Sequence, residues 1–138
     1  MSRSDIYRIL IAEDEFLIAA ELEQTLGSLG YQCVGPFPTV EKALAAVRAE
    51  PIDGAILNLI LDNERADEVA QLLQDRNIPF AFASGLSAAD HDPRWHKMPK
   101  LSKPYSMAEV ESVLAAMFPK ANGQPGALSE PSAEGALA

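Results

Sequence analysis

Residues 7–15 read YRILIAEDE: an apolar run of strand formers passes directly into three acids, Glu13, Asp14 and Glu15. A short continuous apolar run is what a strand buried on both faces needs. Because charge follows at once, that strand must end at a solvent-facing edge. The same punctuation recurs along the chain. Residues 15–29 form a helix on the spacing of Leu22, Leu26 and Leu29, with Gly27 weakening its last turn and Gly30 as its end cap. Residues 31–34 make a short second strand, closed by Gly35 and Pro36. Thr39 caps a helix whose apolar face is Val40, Ala43, Leu44 and Val47, ending before Pro51. Residues 54–60 (GAILNLI) read as a third strand and 66–76 as a helix with Val69, Leu72 and Leu73 on one side. Residues 80–84 (FAFAS) are the fourth strand.

The stretch that follows is irregular. Ser87 and Asp90 offer a capping-box start, but Pro93 leaves room for a short helix only. Leu101 and Ser102 allow a very short fifth strand before Lys103 and Pro104. The last helix is marked by Ser106 as cap, Glu109 as the other half of the capping box, and a core stripe of Met107, Val110, Val113, Leu114 and Met117. Strands alternating with helices imply right-handed βαβ units, hence an α/β fold with a doubly wound, five-stranded parallel sheet.

Composition bounds the function classes. The chain has 138 residues, 48% of them hydrophobic, and a formal net charge of −9, which argues against nucleic acid or an anionic membrane surface as main partner. No apolar run approaches the roughly 18 residues needed to span a bilayer. The N-terminal residues show no secretory signal, and Cys33 alone forms no internal disulfide, so a cytoplasmic location is expected. Residues 5–119 make one domain. Residues 120–138 (KANGQPGALSEPSAEGALA) lack aromatic residues and are expected to be a disordered tail.

In a doubly wound sheet the working site lies beyond the carboxyl ends of the strands. Those ends carry Glu13 and Asp14, then Asn58, then Ser84, then Lys103. Two adjacent carboxylates beside a site for phosphate suit Mg²⁺, a hard cation that takes one or two protein carboxylates and keeps several waters. A hydroxyl and an ammonium opposite it would hold the other oxygens of a phosphoryl group.

Four segments, IAEDE (11–15), DGAILNLIL (53–61), PFAFASG (79–85) and SKPY (102–105), together resemble the receiver domain of bacterial two-component response regulators. The resemblance covers residues 5–119 and implies the flavodoxin-like strand order 2-1-3-4-5. It also implies that Glu13 and Asp14 bind Mg²⁺ with the backbone carbonyl of Ile60 and the residue at 58. Ser84 then stands at the Ser/Thr switch position, Lys103 at the site lysine, and position 58 at the phosphorylated aspartate. Position 58 is Asn. A carboxamide is a far poorer nucleophile than a carboxylate and forms no stable acyl phosphate. Glu13, Asp14 and Lys103 carry a nominal −1, against −2 with a third carboxylate, so Mg²⁺ binding should be weak. Such a chain is either a natural pseudo-receiver or one whose aspartate has been exchanged for its amide. Asp62, four residues on, is a poor substitute acceptor because it lies in the following loop.

Lys100 is a second departure, since the family has there an aromatic that swings inward on activation; burying an unpaired ammonium is costly. PFAFASG, the short fourth helix and the missing aromatic resemble an atypical subfamily with a Phe-Ala-Thr-Gly-type signature. The expected function is therefore a stand-alone receiver protein that is not an enzyme. It would bind a histidine kinase or another phosphorelay protein through the fourth helix, fifth strand and last helix, with a homodimer as a further option. The rival is a small phosphohydrolase or phosphotransferase in which Asp14 would have to serve as nucleophile. A nucleotide- or flavin-binding module needs N–H donors after the first strand, where Glu-Asp-Glu stands instead. His91 and His96 read as loop residues, Cys33 as a small core residue, and Trp95 as an anchor for its loop.

Overall fold

The run after Tyr7 forms β1 (Arg8–Ala12), in which Ile9, Leu10, Ile11 and Ala12 are completely buried. The computed structural model describes residues 6–84, 93–95, 98–102 and 105–118. β1 is followed by α1 (Phe16–Ser28), β2 (Gln32–Phe37), α2 (Val40–Ala49) and β3 (Gly54–Leu57). A two-residue hairpin, β4 (Ile60–Leu61) and β5 (Glu64–Arg65), leads into α3 (Asp67–Asp75) and β6 (Phe80–Ser84). A 3-10 turn (Pro93–Trp95), β7 (Lys100–Ser102) and α4 (Met107–Met117) complete the described chain.

β2-β1-β3-β6-β7 is the order of the main sheet, and all its pairings are parallel. Counting sheet strands alone, this is 2-1-3-4-5, the flavodoxin-like order. Alternate residues of each central strand feed opposite cores, as the two-residue period of a strand demands. Ile9, Ile11 and Ile56 pack with Leu22 and Leu26 of α1 and with Val110 and Leu114 of α4. Leu10, Ala12, Ala55 and Leu57 pack on the other face with Val40, Leu44 and Val47 of α2 and Val69 and Leu73 of α3. Among the described residues no helix is long and apolar enough to cross a membrane.

Local chemistry sets the boundaries. The Thr39 hydroxyl accepts the Lys42 N–H at 3.2 Å, and Ser106 and Glu109 form the full capping box, with the Ser106 N–H donating to Glu109 at 2.8 Å. Met107 departs from the expected core stripe: it lies in the first turn of α4, at the mouth of a cleft shared with Tyr105 and Thr25, and is 49% exposed. β2 runs past its expected stop at Val34. Gly35 takes φ +108°, which lets the strand absorb an irregularity and pair again at Phe37, opposite Ala12. The third strand is shorter than its apolar run: it ends at Leu57, and the Asn58 N–H makes a last bond to β1 at Ala12 O. Asp62 and Asn63, both with positive φ (49° and 68°), turn the chain into the β4–β5 hairpin. The expected short helix over 87–92 and the tail over 120–138 lie outside the described residues.

Gly54 is closely packed by the ends of three side chains. A Cβ there would stand 2.9 Å from Phe118 Cζ, 3.2 Å from Met117 Sδ and 3.3 Å from Ile9 Cδ1. Gly54→Ala is expected to lower stability by about 1–3 kcal/mol, the usual cost of overpacking. An unshifted urea midpoint for this variant would mean that α4 yields without cost.

Candidate functional site

Register places the site. Ala12 of β1 is paired with Leu57 of β3, so the residues that follow these strands, Glu13 with Asp14 and Asn58, emerge side by side. This is where the order of the sheet reverses, the usual location of a crevice in a doubly wound fold. The Asn58 N–H donates to Ala12 O at 2.8 Å and fixes position 58 at the rim. Its side-chain Nδ2 donates to Ile60 O at 2.6 Å and to Asp14 Oδ1 at 3.2 Å. The Asp62 N–H donates to the other carboxylate oxygen, Asp14 Oδ2, at 2.9 Å. Asp14, Asn58 and Ile60 are thus brought together, and the Asp62 backbone joins them because the left-handed turn aims its N–H inward.

Glu13 is the one buried charged residue among those described, at 3% exposure. Its backbone N–H is held by Phe37 O at 2.9 Å, and its Oε2 accepts the Glu15 N–H at 3.0 Å. Tyr105, quoted in SKPY but given no role from sequence, lies close to these acids. Burial, and then the charges of Glu13, Glu21 and Glu15, push its hydroxyl well above the ordinary tyrosine pKa. Its buried hydroxyl has no hydrogen-bond partner among the described residues. Ser84 ends β6 in register with Ser102 of β7. The Ser84 side chain and Lys103 lie outside the described residues.

Lys100 stands where the resemblance calls for a mobile aromatic. Its ammonium donates to Met98 O at 2.9 Å and Trp95 O at 3.1 Å, which offsets the cost of its half-burial. Trp95 is completely buried against Phe80 and Phe82, with ring centroids at 5.7 and 6.2 Å, and its indole N–H donates to Asp67 Oδ1 at 2.9 Å. Asp67 Oδ2 also receives Arg65 Nε at 2.6 Å. The first residue of α3 therefore ties the β4–β5 hairpin to the 93–95 turn, a linkage with no signature in the sequence.

The residues expected to hold Mg²⁺ can be tested against this geometry. Asp14 and Ile60 O do offer oxygens to a common point, but the group between them is an amide nitrogen carrying protons. Among the described residues no three His, Cys, Asp or Glu side chains are disposed to hold a metal ion. As it stands the set does not fit a cation; it fits one only after the Asn58 carboxamide turns away. Cys33, half-buried, is no additional ligand or nucleophile: burial, helped by the Glu23 charge, pushes its thiol up to about 11.

No protein-family model matches the chain, and neither does any curated protein sequence. Solved structures do. The chain is similar to SdrG from Sphingomonas melonis Fr1, at 43% identity over 83% of this chain and 98% of that one, with a TM-score of 0.76. It is similar to the BeF3-activated conformation of SdrG from Pseudomonas melonis Fr1, at 44% identity over the same shares, with a TM-score of 0.72. At 19% identity it shares the fold of the receiver domain of a sensor histidine kinase from Pseudomonas aeruginosa PAO1, with a TM-score of 0.72 over 83% of this chain and 98% of that one. That domain carries a magnesium ion in its active-site cleft. The other solved structures it resembles include receiver domains and response regulators.

Proposed function

Because the chain belongs to the response-regulator receiver family, we propose that it is a receiver-type protein of two-component phosphorelay signalling that works by binding and accepts no phosphoryl group at position 58. Its partner is a histidine kinase or another phosphorelay protein, and the contact surface is that around the 93–95 turn, β7 and α4. The observation that carries this reading is the group at the rim. Where a nucleophilic carboxylate oxygen would be needed, Asn58 presents an amide whose protons are committed to Asp14 and Ile60. An amide nitrogen in that state has no lone pair to attack phosphorus, because its electrons are delocalised into the carbonyl. Mg²⁺ binding is correspondingly weak, and no chemical step runs through it.

Titration calorimetry against the phosphotransfer region of a histidine kinase tests this. The affinity is expected to be the same before and after exposure of the chain to acetyl phosphate and Mg²⁺, with its intact mass unchanged. A phosphoryl adduct on the Asn58 chain would refute the proposal. So would turnover of a generic phosphate ester that Asp14→Ala abolishes, which is the signature of a phosphohydrolase.

A further inference from the structure

We propose that the Asn58 side-chain amide is a built-in stand-in for a divalent cation, so that a cation must expel it before binding. The orientation of the carboxamide is not arbitrary. Both of its neighbours, a carboxylate oxygen of Asp14 and the Ile60 carbonyl, are acceptors only, so the NH₂ end and not the oxygen must face them. That group has two protons and finds two acceptors. The second Asp14 oxygen is taken by the Asp62 N–H, and the Asn58 backbone is pinned to Ala12 O. Both carboxylate oxygens of Asp14 and the Ile60 carbonyl are therefore already engaged by N–H donors.

Mg²⁺ demands oxygens at about 2.1 Å in near-octahedral geometry. A proton-bearing nitrogen between two of those oxygens is the wrong group, and its partial positive charge already does part of the cation's work. The amide thereby holds Asp14, the hairpin and the end of β3 in one closed arrangement with no ion. In the receiver reading on which the cation's identity rests, this keeps the rim closed without Mg²⁺ until the ion reaches a concentration that displaces the amide. The hydrogen bonds themselves do not depend on that reading.

Two measurements decide it. In ¹⁵N-labelled metal-free chain, the Asn58 side-chain NH₂ signals are expected to be shifted from the ordinary asparagine position and slow to exchange with water. They should relax toward that position as Mg²⁺ is titrated in. In the second, Asn58→Ala is expected to bind Mg²⁺ as tightly as the parent or several-fold tighter, because a competitor has been removed. Weaker binding by Asn58→Ala would mean that the carboxamide oxygen is a ligand and would overturn the proposal. Ordinary, fast-exchanging Asn58 signals in the metal-free chain would overturn it as well, and that measurement needs no variant to fold. Neither readout involves a kinase, so failure here leaves the signalling reading standing, and loss of kinase binding would leave the amide bridge standing.

Discussion

Asn58→Asp is expected to convert the chain into a phosphoryl acceptor, gaining one phosphoryl group per molecule from acetyl phosphate in the presence of Mg²⁺. The exchange replaces an NH₂ by an oxygen at a point already shared by Asp14 Oδ1 and Ile60 O. Three oxygens then converge with no proton between them, which is unfavourable alone and favourable around a cation. The new carboxylate oxygen attacks phosphorus, an O–P bond forms, and acetate leaves with the electrons of the broken bond. Without Mg²⁺ the same variant should be less stable than the parent by about 1–3 kcal/mol, the penalty for losing two hydrogen bonds and placing like charges together. Adding Mg²⁺ should recover that loss. Intact mass spectrometry reads the first effect and urea unfolding with and without Mg²⁺ the second. A variant that stays unmodified would show that the rim lacks some other part of an acceptor site.

Trp95→Ala should bring a large loss of stability, about 3–5 kcal/mol, the range for truncating a buried aromatic. Small domains have some 5–15 kcal/mol in all, so the urea midpoint should fall by a large fraction of its value. The indole fills the space beside Phe80 and Phe82 and holds the 93–95 turn to α3 through Asp67. Its carbonyl receives Lys100. Trp95→Phe keeps an aromatic ring in place but removes the indole N–H and part of the ring system, so it should cost less than the alanine change, about 1–3 kcal/mol. Far-UV circular dichroism is the right probe, since Trp95 is the chain's single tryptophan. Equal midpoints for parent and Trp95→Ala would mean that the turn is held from elsewhere.

Much of this was legible in the sequence where one physical rule acts alone. The buried run 9–12, the Thr39 cap and the Ser106–Glu109 box each follow from local pattern, and the strand order follows from alternation together with the family resemblance. The strand ends pointed to Asp14 and Asn58 as neighbours and the family resemblance added Ile60, but as metal ligands and not as partners of the Asn58 amide. What escaped were features that tertiary contact decides. The apolar run 54–60 reads as one strand, yet it ends at Leu57, the Asn58 side chain turns to Asp14 and Ile60, and Asp62 and Asn63 accept left-handed geometry that only the local chain path requires. Met107 fits the helical stripe by spacing, but the first turn of α4 opens on a cleft. Lys100 offered no hint of the two carbonyls that receive it, because these are backbone groups and carry no residue identity.

The rings of Tyr7 and Phe118 stack at 4.1 Å and 5°, with Tyr31 alongside. They close the fold at the pole from which β1 departs, whereas the acids gather where β1 arrives, about 20 Å away at the rise of a strand. A fluorophore or affinity handle attached at residue 118 itself would accordingly start from the far pole. Surface immobilisation through that end leaves the acidic crevice facing free solution, the orientation a biosensor chip needs.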